Sequence, residues 1–150
     1  MLQVLLDQEI PYRLRTFDTP AHSASQAAEL LGCPLGAIVK SLVFQKQASG
    51  ELLMVLVSGK NRVDVQRLNK IVGKDVQPAK PKTVLAITGY PVGAVPPFGF
   101  IDTFPVIMDK DLLEYERVWS SAGAENMLIQ IKATALRRLT RAEVKQVSQV

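Results

Sequence analysis

Residues 38–58 read IVKSLVFQKQASGELLMVLVS. Two runs rich in Ile, Val, Leu and Phe flank a polar segment ending in glycine, which predicts a β-hairpin: strand 38–46, turn 47–50, strand 51–58. The second arm is apolar nearly throughout, as expected of a central strand covered on both faces. The first arm is interrupted by Lys40 and Ser41. Alternation puts Ile38, Lys40, Leu42 and Phe44 on one face and Val39, Ser41 and Val43 on the other. Burying an unpaired ammonium costs several kcal/mol or forces it neutral. Lys40 therefore either snorkels to water from the strand end or lines a pocket that uses its charge.

Outward from the hairpin, residues 2–9 are an amphipathic helix and 12–17 a strand. Ser23 and Gln26 have capping-box spacing and open a helix through Leu31, with Gly32 as its stop. Asp64 caps a helix running to Val72, stopped by Gly73. A short helix at 81–88 leads into a loop, TGYPVGAVPPFG. A strand follows near 103–108, then a turn capped by Asp109 and strands at 116–121 and 127–132. Thr140 and Glu143 repeat the capping-box spacing and predict a final helix. The pattern is that of one α/β-mixed (α+β) domain over 1–150, its strands joined by hairpins as often as by helices.

The chain has 150 residues, 47% hydrophobic and 21% charged, a globular balance. The single cysteine, Cys33, excludes an intramolecular disulfide framework and fits a reducing compartment. The N-terminus MLQVLLDQEI lacks a basic leader and a long apolar core, so a cytoplasmic location is expected. The uncharged stretch 83–101 is long enough for a membrane span, but its glycines and prolines predict a buried loop instead. The net charge of +4 is uneven: residues 60–82 hold seven Lys/Arg against Asp64 and Asp75, and 132–145 hold five against Glu143. Each segment alone reads as a solvated helix face. Together, on an otherwise acidic chain, they point to a polyanionic partner.

Conventional catalytic sets are missing. His22 is the only histidine, which leaves little for a histidine metal site or a Ser-His-Asp triad. Neither GxxxxGK[ST] nor GxGxxG occurs. What remains is Lys40, a few hydroxyls and the Gly/Pro loop. There Pro91, Pro96 and Pro97 stiffen the backbone, and Gly89, Gly93 and Gly99 allow close approach to a ligand. By composition alone the loop reads first as a stiff turn closing over the core.

The order of HSASQAAELLG, IVKSLVF, LVSGKNRVD, TGYPVGAVPPFG and VWSSAG resembles the YbaK/prolyl-tRNA-synthetase insertion-domain family of aminoacyl-tRNA deacylases. The most specific match pairs a lysine in an apolar strand with a GxxxP loop, here GAVPP at 93–97. The resemblance implies a curved, mostly antiparallel mixed β-sheet, barrel-like, with flanking helices. It implies metal-independent, cofactor-free hydrolysis of the ester joining a wrong amino acid to the 3′ end of tRNA, of the tRNA(Pro) type. Lys40 takes the family's essential lysine role. Gly93, Ala94, Val95 and Pro97 carry the loop that positions the aminoacyl carbonyl and terminal adenosine. Phe17, His22, Ser23, Ser41, Ser58, Gly59, Ser121 and Gly123 complete the expected substrate site. Ala94 and Leu128 stand where cysteine-specific relatives carry glycine and aspartate, so both are expected to shape the pocket.

The expected partners are aminoacyl-tRNA and a synthetase, with neither membrane nor DNA. Arg62, Arg67 and Lys70 are the expected phosphate contacts, with the 132–145 segment as a second contact. Two alternatives stay open on the residues: a non-catalytic tRNA-binding or synthetase-associated module of the same fold, and a hydrolase of another small acyl ester.

Overall fold

The hairpin forms as its pattern predicts. In the computed structural model, which describes residues 1–73, 75–100 and 104–149, its arms are β2 (Val39–Lys46) and β3 (Leu52–Ser58), paired antiparallel with Lys40 opposite Val57. Five consecutive β3 side chains, Leu53, Met54, Val55, Leu56 and Val57, are at most 2% exposed. Each contributes about 1.5–3 kcal/mol by leaving water. β3 can be buried on both sides because it is the centre of a five-stranded sheet.

That sheet has the order β4-β2-β3-β5-β8. β4 (Val76–Pro78) joins the free edge of β2 antiparallel; β5 (Val106–Asp109) and β8 (Glu143–Lys145) add parallel strands beyond β3. A second, antiparallel sheet has the order β1-β7-β6, from β1 (Arg13–Thr16), β6 (Arg117–Ala124) and β7 (Met127–Lys132). The isolated bridge Ile38–Trp119 links the two. The architecture is mixed and mostly antiparallel, but the sheet is not closed into the expected barrel. β6 leaves the edge of β2 after one bridge, and β4 starts pairing only at Phe44.

Helix ends follow local chemistry. α1 spans Leu2–Asp7. In α2 (Ala24–Leu31) the Ser23 hydroxyl accepts the Gln26 N–H, the Gln26 side chain accepts the His22 N–H, and Gly32 closes the helix at φ +65°. Asp64 caps α3 (Val65–Val72) by accepting the N–H groups of Gln66 and Arg67. α4 (Pro81–Thr88) has proline in its first turn, which needs no N–H there.

The C-terminal expectation is corrected. α5 is Ala133–Thr140, so it ends where a final helix was predicted to start, and 143–145 is strand β8. The Thr140 hydroxyl donates back to the Leu136 carbonyl, and Glu143 pairs with Ile107 of β5. The strand predicted near 103–108 is Val106–Asp109; residues 101–103 lie outside the described ones.

The main core lies between the sheets, with Val39, Val43, Met54, Leu56, Met108, Val118, Ile129 and Leu136 among its members. A second cluster, on the other face of the larger sheet, joins Phe44, Leu53, Val55 and Ile107 to Leu68 of α3. The Gly/Pro loop is buried as expected from Ala94 to Phe98. Among the described residues no helix is long and apolar enough to cross a membrane.

Candidate active site

Lys46 and Gly59 donate their N–H groups to Glu51 and Ile38 carbonyls on the β3 side, whereas the Val43 carbonyl accepts from Ala79 on the other edge. Odd-numbered residues of β2 therefore turn their backbone groups to the edge shared by β4 and β6. Between those two strands the edge is open at Ser41. The loop 91–97 covers this gap. Its start is a turn closed by Ala94 N–H to the Pro91 carbonyl, with Gly93 at φ +94°. That angle suits the third residue of a type II turn and disfavours any side chain there.

Two cavities meet under the turn. One, of about 290 Å³, is lined by His22, Ser23, Ala27, Val39, Glu125 and Leu128. The other, of about 310 Å³, is lined by Ser41, Val43, Pro78, Val84 and Val95. Val39, Val92, Gly93 and Ser121 line both. Each is near the lower end of the roughly 300–1,000 Å³ usual for small-ligand sites.

β6 aims Ser121 at the loop. A register shift between Ser121 and Ala124 bends the strand end, and Ser121 Oγ donates to the Ala94 carbonyl at 2.9 Å while accepting the Gly123 N–H at 3.2 Å. Gly123 sits at φ +101°, where a Cβ would come within 2.9 Å of the Tyr90 ring. Ser41 Oγ is buried without a hydrogen-bond partner among the described residues, a state that costs about 1–3 kcal/mol until something fills it. Among the described residues no carbonyl takes the Gly93 N–H.

Lys40 lies on the opposite face of β2. Its Nζ donates to the Asn61 carbonyl at 2.6 Å, and it lines neither cavity. Burial pushes its pKa below the ordinary lysine value and Arg62 adds to that, while Asp109 pulls it back up. The fully buried Asp109 organises this region: its carboxylate accepts from Ser58 N–H, Asn61 Nδ2 and Asp111 N–H.

Of the other expected residues, His22, Ser23, Ser41, Gly93, Val95 and Ser121 converge on the cavities, as does Leu128. Ser58 instead donates to the Gly36 carbonyl at 2.7 Å, and a Cβ on Gly59 would meet the Leu35 carbonyl at 2.6 Å. Both pack the end of β3. Ala94 and Pro97 are buried and line neither cavity. Phe17 packs beside Ala27, Trp119 and Leu128, with the Arg15 guanidinium over its ring at 5.2 Å. Arg62 and Lys70 are exposed, and Arg67 pairs with Asp64 at 3.6 Å.

Val92 and Glu125 also line the site, and no sequence pattern marked them: one is a lone apolar loop residue, the other sits in the β6–β7 turn. Among the described residues no group of three His, Cys, Asp or Glu could hold a metal. Burial raises the Cys33 thiol pKa, which works against a thiolate nucleophile.

The profile of the aminoacyl-tRNA editing domain matches residues 18–139, and the chain belongs to that family. It is an editing domain of the deacylase type, a hydrolase acting on aminoacyl-tRNA. A structure described as a candidate trans-editing enzyme for prolyl tRNA synthetase is similar at 33% identity and TM-score 0.87, over 99% of this chain and 95% of that one. EbsC of Enterococcus faecalis, named as a candidate Cys-tRNA(Pro)/Cys-tRNA(Cys) deacylase, is 29% identical over 98% of this chain and 91% of its own. A proline–tRNA ligase of Desulfovibrio desulfuricans is 37% identical over 61% of this chain, a segment making up 16% of the ligase.

Proposed function

We propose that residues 1–150 form one domain that removes a small, uncharged wrong amino acid from tRNA(Pro) at the paired cavities under the 91–97 loop. The observation that carries this is the unpartnered Ser41 hydroxyl, buried at the open edge of β2 and facing the Gly93 turn. A polar group of a ligand entering the cavity supplies the missing partner.

In this reading the terminal ester enters between Gly93 and Ser121. Water adds to the ester carbonyl, and the oxyanion takes the Gly93 N–H. Such a donor is worth about 3–4 kcal/mol to the transition state. The carbon–oxygen bond to the ribose then breaks, the water's proton passes to the ribose oxygen, and the products are a free amino acid and a tRNA with its hydroxyl restored. The Glu125 carboxylate, beside Gly93, receives the substrate's α-ammonium group. Ser41 orients the ester. Ala27, Val39 and Leu128 form the apolar wall for the amino-acid side chain.

Lys40 is the cation of the reading. To touch the ester its ammonium must leave the Asn61 carbonyl, which its flexible four-carbon stem permits. From where it rests it supplies positive potential behind Ser41. The proline class is supported by the names of the relatives, and it puts the work in the cytoplasm, where tRNA is charged, beside a prolyl-tRNA synthetase. A panel of mischarged tRNAs tests the proposal. Hydrolysis of small amino acids from tRNA(Pro), sparing Pro-tRNA(Pro), is the expected result. Binding of tRNA without hydrolysis of any ester would overturn it in favour of a non-catalytic module.

A further inference from the structure

A groove of about 740 Å³ opens on the smaller sheet, where β1 diverges from the end of β7 and α5 begins. Arg13, Arg117, Lys132 and Arg138 line it, against Glu9 as the one acidic side chain. These four cations come from three strands and a helix, so the fold, rather than a run of sequence, gathers them. Arg117 and Lys132 are direct cross-strand partners. Like charges directly opposite destabilise a sheet; the exposed Glu116, 3.7 Å from Arg117, offsets part of this, and an anion seated between the pair removes the rest.

The register fixes where the groove points. Arg13 is opposite Gln130 and Arg15 opposite Leu128, while Arg117, Trp119 and Ser121 are opposite Lys132, Gln130 and Leu128. Directly paired residues share a face, as do alternate residues along a strand. The groove residues Lys132 and Gln130 and the cavity residue Leu128 therefore lie in line on one face of β7. Four residue steps along the strand take Lys132 to Leu128, about 13 Å at roughly 3.3 Å per residue. On the same face of β1, Arg13 lies between them, opposite Gln130, and Arg15 is level with Leu128. A stacked strand advances about 3.4 Å per nucleotide, so an RNA end placed in the cavity brings phosphates about four nucleotides away over the groove.

From this geometry we infer that the groove of Arg13, Arg117, Lys132 and Arg138 binds the phosphate backbone of the tRNA acceptor end whose terminal ester lies in the cavity. This rests on the deacylase reading for its partner. It places the main phosphate contact on the smaller sheet rather than on α3, which covers the opposite face of the larger one.

The test compares Arg13→Gln/Arg117→Gln/Lys132→Gln/Arg138→Gln with a control of equal charge loss, Lys46→Gln/Lys80→Gln/Lys82→Gln/Lys110→Gln. Binding of uncharged tRNA is followed across a salt series. The slope of log affinity against log salt is expected to fall by roughly one per lost contact in the groove variant and to change by less than one in the control. KM for a mischarged tRNA is expected to rise at least tenfold in the groove variant, with hydrolysis of a minimal aminoacyl-adenosine ester unchanged. Equal slopes for groove variant and wild type would overturn the inference, as would equal loss in the control. Failure of the deacylase reading would look different: the wild-type chain would hydrolyse no ester, while its tRNA binding kept the groove-dependent slope.

Discussion

Lys40 and Ser41 are neighbours on β2, each a polar interruption of an apolar strand, yet they lie on opposite faces and are treated in opposite ways. The lysine has a partner: its ammonium sits on the Asn61 carbonyl, in a loop braced by buried Asp109. The serine, like Ser120 of β6, has none among the described residues, although its hydroxyl is buried. Burying a polar group is costly unless it is bonded, so the satisfied group reads as part of the scaffold and the unsatisfied one as waiting for a ligand. The family resemblance points the other way, making the lysine essential. The two faces can be set against each other by experiment.

The largest effect expected is from Lys40→Ala. If the ammonium acts on the ester or on its field, turnover of a mischarged tRNA(Pro) falls at least about 100-fold, the range for losing one electrostatic stabiliser, and the thermal midpoint moves little. Near-wild-type turnover by the folded variant would break the lysine's claim and leave catalysis to the Ser41 face.

Specificity comes next. Leu128 lines the cavity, whereas Ala94 is buried within the loop with its carbonyl held by Ser121. One methylene of pocket space is worth about 1–3 kcal/mol in discrimination. Leu128→Ala should therefore raise relative rates for larger amino acids by tens-fold, and Ala94→Gly should scale all rates alike. Rate profiles across mischarged tRNAs check both. A profile that shifts with Ala94→Gly alone would put the wall back in the loop.

The smallest effect sharpens the contrast between two buried serines. Ser58 donates to the Gly36 carbonyl, so Ser58→Ala should cost about 1 kcal/mol of stability in urea unfolding. Ser41→Ala leaves no protein group unpaired, so it should keep or slightly raise stability while lowering kcat/KM by about tenfold. Equal stability losses in the two variants would show that Ser41 has a structural partner after all.

Much of the fold was legible because its signals are local. The hairpin, the Ser23 and Asp64 caps, and the Gly32 and Gly73 stops each depend on a few adjacent residues whose dihedral and hydrogen-bond preferences act wherever they occur. The same locality misled at Thr140. Its spacing to Glu143 suits a helix start, but its hydroxyl also satisfies the last turn of α5, and residues 143–145 were claimed by a parallel pairing with β5 far away in sequence.

In the site, the residue types and the alternation that separates Lys40 from Ser41 could be read directly, since side-chain period in a strand is a property of the backbone. Which face meets the loop could not. That depends on β6 leaving the edge of β2 after a single bridge and on where the 91–97 turn docks, both set by packing between the two sheets. The groove is the clearest case. Arg13 and Arg117 stood outside both basic segments of the sequence, and only cross-strand register brought them beside Lys132 and Arg138. Charge composition is a property of the chain, but a charged surface exists only once long-range pairing has decided which side chains share a face.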